Sequence, residues 1–210
     1  MESILRIPLQ LSTEQVRRLQ SLQHGFAQLC NALAPTVQAT RVWNRVALHH
    51  LSYRQLREQF PAMGSQMVCN AIYSVSRTCR ALFQQPASPF HLEKLGDKPL
   101  PLLRFTDSCP VYFDRHTLSL KEGKLSMFTL DGRMRFQLSL DAQDEQRFHE
   151  LKMREIVLAG SVMNGYTLTF VLADSAEETK DTRSSNALSF DSEDTLAGEI
   201  PEYILVEEKT

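Results

Sequence analysis

The hydrophobic period of this chain changes once, within a proline-punctuated stretch between Pro86 and Pro101. Before that stretch apolar residues recur every three to four positions, as on one buried helix face; after it they alternate, as in half-buried strands. Helices and strands segregated in this way predict an α+β fold rather than alternating βαβ units.

The helical part carries its own start signals. Ser12 and Gln15 form a capping box, with Leu11 and Val16 as a hydrophobic staple, and Val16, Leu19, Phe26, Leu29 and Leu33 give one core face. That helix is expected to stop near Pro35, followed by a second over residues 36–50. Ser52 and Gln55 make another capping box, opening a short helix that ends at Phe60 and Pro61, before a long helix from about Gln66 to Arg80. A strand is expected over residues 4–9. Further strands are expected over residues 111–113, 117–120, 124–130, 133–140, 155–162 and 166–172, with a short helix over 141–152. Asp131-Gly132 and Asn164-Gly165 are the hairpin turns this pattern predicts.

Short strands joined by tight turns predict a small antiparallel β-barrel, closed by the first strand, with a helical bundle inserted and an acidic C-terminal tail. The expected division is 1–11 for the first strand, 12–85 for the helices, 86–101 for a linker, 102–173 for the barrel and 174–210 for the tail.

Charge follows the same division. The net charge of −2 conceals +6 over residues 1–85, where nine Arg and no Lys stand against three acids, zero over 86–173, and −8 over 174–210. An all-Arg block suits phosphate and base recognition, because a planar guanidinium forks onto oxygens where an ammonium acts as a point charge. The acidic tail either stays solvated or docks; Ile200, Tyr203, Ile204, Leu205 and Val206 give it the apolar character of an added strand at a barrel edge. A docked tail would compete with nucleic acid for the basic surface.

No apolar run approaches the roughly 20 residues that a membrane span needs. With no basic-then-apolar leader pattern, a cytoplasmic protein without membrane contact is expected. Cys30, Cys69, Cys79 and Cys109 show no paired close spacing, and adjacent His49 and His50 diverge by about 100° on a helix, so no metal or other cofactor is expected. Neither a catalytic triad nor a phosphate loop is found.

The long helix is the most specific element. Gln66, Asn70, Tyr73, Arg77 and Arg80 fall on one side of it, and no acidic residue occurs between Gln66 and Phe83. Carboxamides, a tyrosine and guanidiniums in one stripe are groups that read base edges and phosphates; a solvated helix face is the alternative. Arg41, Arg45 and His49, at i, i+4 and i+8, make a second basic stripe with the same two readings.

These residues carry a resemblance. The order of LSTEQVRRLQ with Asn31 downstream, LSYRQLREQFP, GSQMVCNAIYSVSRTCR, PVYFDRHTLSLKEGKLSMFTLDGRMRF and REIVLAGSVMNGYTLTFVLA resembles the N-terminal half of the TnpB family of transposon-encoded RNA-guided endonucleases, relatives of type V CRISPR effectors. The resemblance covers about residues 4–173. It implies that the barrel is a wedge domain and the helical insertion a recognition domain. Tyr53 would then read the short DNA motif beside the target, with Ser65, Gln66, Cys69 and Asn70 on the helix facing the same duplex. Arg115, Lys121, Lys124, Arg133 and Arg135 would bind the guide-RNA scaffold.

The chain departs from that family after residue 173. In place of the metal-binding carboxylates and zinc ribbon of the nuclease domain stands SSNALSFDSEDTLAGEIPEYILVEEKT, where Asp191, Glu193 and Asp194 are a loose acidic cluster with no visible rigid scaffold. No nuclease activity is expected. The expectation is a DNA- and RNA-binding protein. Tyr53, Ser65, Gln66, Asn70, Tyr73, Arg77 and Arg80 would face duplex DNA, and Arg41, Arg45, Arg115, Lys121, Lys124, Arg133 and Arg135 a structured guide-like RNA. It would act as a regulator or as one subunit of a split effector beside a second protein that carries the nuclease domain. The alternative is a protein-interaction module that pairs with or inhibits another subunit through its acidic tail.

Overall fold

The computed structural model of the chain describes residues 2–173 and 199–208, and its first helix begins where the capping box places it. Ser12 Oγ accepts from the Gln15 amide while the Gln15 side chain accepts from the Ser12 amide, opening α1 (Thr13–Thr40). Pro35 does not stop this helix. A proline inside a helix costs about 3 kcal/mol. The buried face nevertheless continues past it through Val37, and the Gln38 amide donates to the Leu100 carbonyl. The helix ends at Arg41, in the left-handed region at φ 56°.

The next helix therefore starts later than expected. Asn44 caps α2 (Arg45–Gln59), its Oδ1 accepting from the amides of Val46 and Ala47. Ser52 caps nothing: it is buried in the middle of α2. A 3₁₀ turn at Pro61–Met63 leads into α3 (Gly64–Phe83), and the long connection that follows contains only the four-residue α4 (Leu92–Leu95).

The strands are β1 (Glu2–Pro8), β2 (Leu102–Phe105), β3 (Val111–Phe113), β4 (Leu118–Lys121), β5 (Lys124–Thr129), β6 (Gly132–Gln137), β7 (Lys152–Ser161), β8 (Gly165–Ala173) and β9 (Ile204–Glu207), with α5 (Ala142–Glu150) between β6 and β7. They pair antiparallel in three sheets: β1-β8-β7-β3, β4-β5-β6 and β2-β9. In the largest, Leu5 and Ile156 flank Phe170 while Ile7 and Leu158 flank Leu168, all of them buried.

The expected barrel does not form. The first strand joins β8, but among the described residues none of the sheets closes on itself. Helices fill the space that closure would need. The Asn70 amide of α3 donates to the Tyr112 carbonyl of edge strand β3, and the Gln23 amide of α1 donates to the carbonyls of Cys109 and Gly160. Asn31 of α1 behaves as a strand partner, its Nδ2 donating to the Phe105 carbonyl and its Oδ1 accepting from the Phe105 amide.

Turn chemistry differs from expectation by a residue or two. The β5–β6 turn is centred on Leu130 and Asp131 and followed by Gly132 at φ 88°, the arrangement of a turn closed by a glycine bulge rather than a type I′ turn on Asp131-Gly132. Arg18 of α1 fixes it by donating to Thr129 Oγ1 and the Gly132 carbonyl. The β7–β8 loop likewise spans residues 162–164 ahead of Gly165 at φ 77°. The true two-residue left-handed turn is Glu122-Gly123, at φ 51° and 72°, between β4 and β5.

The end of the tail docks. β9 adds to β2, with Ile204 buried and Arg104 Nε 2.6 Å from Glu207 Oε1. Asp191, Glu193 and Asp194 lie outside the described residues.

Candidate nucleic-acid interface

The stripe along α3 turns inward over most of its length. Asn70 is 6% exposed, and its amide holds the Tyr112 carbonyl at 3.0 Å, so it cannot pair with a base. Tyr73 Oη donates to Glu155 Oε2 at 2.6 Å, and Arg77 Nη1 lies 3.1 Å from both Glu155 oxygens. The Arg77 and Glu155 side chains are 22% and 13% exposed. Burial, then the Glu155 carboxylate, pushes the Tyr73 phenol up, so it stays a donor. The cause is a single carboxylate on β7, outside the helix and invisible to its periodicity, which takes up both polar side chains. Asn70, Tyr73 and Arg77, expected to face DNA, thus act here as struts between α3, β3 and β7. Ser65 and Gln66 at the start of the helix and Arg80 near its end remain at least partly exposed.

The second stripe is broken and partly rejoined. Arg41 ends α1 and leaves the face of α2, because the helix expected to carry it starts only at Arg45. The Arg45 guanidinium lies 5.2 Å from the centre of the Tyr73 ring, and His49 stacks on Tyr53 at 4.5 Å with 18° between the rings. Arg45, His49 and Tyr53 therefore share one face of α2, with Arg45 against Tyr73 midway along α3. On α3 the half-buried Cys69 thiol feels the Arg45 charge. Partial burial pushes the thiol up, with Arg45 and Arg57 pulling it down and Asp114 pushing it up.

The three-stranded sheet brings the other candidates together. Register pairs Lys121 with Lys124, Lys124 with Gln137, Ser126 with Arg135 and Phe128 with Arg133. By the alternation of a strand these residues and Ser119 share one face, while Leu118, Leu125, Met127 and Met134 are buried on the other. Four cations, two hydroxyls, one amide and an aromatic ring share that outer face, with Glu122 beside it in the turn. A shallow depression of 620 Å³ runs past Ser119, Lys121, Glu122, Lys124, Ser126, Arg135 and Gln137.

Arg133 is less free than its neighbours. Its Nε and Nη2 donate to Ser126 Oγ and the Ser126 carbonyl at 2.8 and 2.9 Å, and its Nη1 donates to the His116 carbonyl at 3.2 Å. Arg133 thus braces the β3–β4 turn that carries exposed Arg115.

Sequence reasoning missed Arg57, His116 and Arg154. Arg154 had no signal, since its place in a strand gives no hint that the ladder is interrupted there. Cys30 and Cys109 are buried neighbours that sequence spacing kept far apart; burial, then the Cys109 thiol, pushes the Cys30 thiol well up. Among the described residues no group of three or more His, Cys, Asp or Glu is placed to hold a metal, and no helix is long and apolar enough to cross a membrane. The chain matches no protein-family model and no curated protein.

Proposed function

We propose that this chain is a nucleic-acid-binding protein without nuclease activity of its own. It holds a structured, guide-like RNA across the outer face of β4–β6 and a short DNA motif against Arg45, Tyr53, Ser65 and Gln66. The observation that carries this reading is the Lys121–Lys124–Arg135 face: cations gathered on one side of a sheet, with hydroxyls between them and, among the described residues, a single acid at its margin, Glu122 of the turn. Such a surface suits phosphate oxygens spaced along a folded strand. In this reading the three open sheets stand for the wedge domain of the TnpB-like arrangement and α1–α3 for its recognition domain. The protein works in the cytoplasm as a regulator or as a subunit beside a partner that supplies the nuclease half.

The interaction-module alternative needs a tail free to pair with another chain. The hydrogen bonding of β9 to β2 within the same chain favours the nucleic-acid reading over it.

The test is purification of the full chain without nuclease treatment, followed by extraction and sequencing of whatever nucleic acid travels with it. Co-purified structured RNA, lost when Lys121, Lys124 and Arg135 are replaced by Ala, is the expected result. An absorbance ratio of pure protein, together with no retention of that class of RNA at low salt, would overturn the reading.

A further inference from the structure

Arg154 is the extra residue of a β-bulge. β7 pairs Met153 with Leu172 and then Glu155 with Val171, so Arg154 drops out of the ladder. A bulge re-aims a side chain and is often found beside a binding site. Arg154 Nε is fully buried and meets no hydrogen-bond partner among the described residues. A buried donor on a cation left unmet is costly, so the position points to a missing acceptor.

The acceptor has a place to sit. A cleft of 370 Å³ lies between the start of α3, the β3–β4 turn and the bulge, lined by Gln66, Asp114, Arg115, His116, Met153 and Arg154 among others. Two arginines, a histidine and a glutamine are thus among the residues that line it. The one acid, Asp114, is turned to local use: its Oδ1 accepts from the His116 amide at 3.1 Å, the Thr117 amide at 3.0 Å and Thr117 Oγ1 at 2.8 Å. The turn is braced from outside by Arg133, which donates to the His116 carbonyl. One turn along α3, the Cys69 thiol senses Arg45 and Arg57 and, against them, Asp114. Arg57 Nη1 is likewise buried with no partner among the described residues.

Two guanidiniums lining one cleft together with a neutral amide match the oxygens of a phosphate better than a single carboxylate, which one fork would satisfy. We infer that the cleft formed by Arg154, Arg115, His116 and Gln66 binds one phosphate group, either a phosphodiester of a nucleic-acid strand or a free phosphate ion. The inference rests on the nucleic-acid reading only for which of these two sources fills the site.

The test follows the Arg154 Nε–H resonance by NMR in the full chain, assigned with Arg154→Lys. The probes are the dinucleotide thymidylyl-thymidine, its uncharged methylphosphonate analogue and inorganic phosphate. A saturable shift with the diester and none with the methylphosphonate is expected, and Arg154→Gln, followed at the Gln66 side-chain amide, and Arg115→Gln should each weaken binding about tenfold, the loss of one charge-assisted hydrogen bond. A response to inorganic phosphate with the diester silent supports the site and assigns it to the free ion. No saturable shift with either phosphate overturns the inference. So does a folded Arg115→Gln variant that binds as tightly as the parent, which keeps the test decisive should Arg154→Gln fail to fold. Replacing Lys121 and Lys124 by Ala leaves this response unchanged. A chain that answers the diester but holds no structured RNA therefore keeps the cleft and loses the proposed function.

Discussion

Lys121 and Lys124 face each other directly across the Glu122-Gly123 turn, two ammonium groups paired at the end of one ladder. Like charges opposite each other in a sheet destabilise it, by an amount comparable to the roughly 0.2–1 kcal/mol that a favourable pair contributes. The left-handed Glu122 and Gly123 hold the register that forces this pairing. A pair that costs stability and has no acid on its own face is one that an external anion would relieve.

Replacing both lysines by Ala is therefore expected to leave the melting temperature unchanged or slightly raised while weakening RNA binding. The slope of log affinity against log salt should fall by up to about two, one for each phosphate contact. Anisotropy titrations at several salt concentrations check this. An unchanged slope would remove the sheet face from the interface.

Arg77 makes the opposite case. It and Glu155 are both mostly buried, so taking away one partner leaves an uncompensated charge. Arg77→Ala is expected to cost about 3–5 kcal/mol of stability, the range for breaking a buried pair. Nucleic-acid affinity of the remaining folded protein should be untouched. Urea unfolding and binding measured on the same variant separate the two, and a stable variant with weakened binding would return Arg77 to the surface.

For Asn70, truncation to Ala leaves the Tyr112 carbonyl without its side-chain donor. The expected loss is about 1–3 kcal/mol, the cost of an unmet buried polar group, with no change in preference among DNA motifs. A selection from a randomised duplex pool, run with parent and variant, would show an altered motif if Asn70 read a base after all.

What could be read in the sequence was local. The Ser12–Gln15 box, the inward face of α1, the course of α3 and the order of the strands all follow from periods and caps that act over a few residues. What could not be read depended on partners far along the chain. Pro35 fails to end α1 because of burial contributed by other elements, and Asn44 rather than Ser52 opens α2 because the chain leaves α1 through a left-handed Arg41. The α3 stripe looked solvent-facing because nothing in its own twenty residues announces Glu155, 78 positions beyond Arg77. The cations of β4–β6 were singled out through the family resemblance, and it is the register of the three strands that puts them on one face. Arg154 was not, because a bulge leaves no mark on the pattern.

The tail supplies the last prediction. Tyr203 stands just before β9, its carbonyl accepting from the Thr106 amide, and burial pushes its phenol up to about 12. An unfolded tyrosine titrates near 10, so the folded chain keeps a proton that the unfolded chain has lost between these two values. The unfolded state then binds fewer protons, and stability falls as pH rises from about 10 to 12, at roughly 1.4 kcal/mol per pH unit for this group. Below pH about 10 the contribution is present in full. Tyr203→Phe keeps the ring and removes the titration, so its stability should fall less steeply over that window, although other raised tyrosines leave some slope. Ile204→Ala, at a position 4% exposed, should cost about 2–5 kcal/mol at neutral pH if β9 is part of the core. Equal slopes for parent and Tyr203→Phe, with an Ile204→Ala variant as stable as the parent, would show the tail to be an arm lying off the fold.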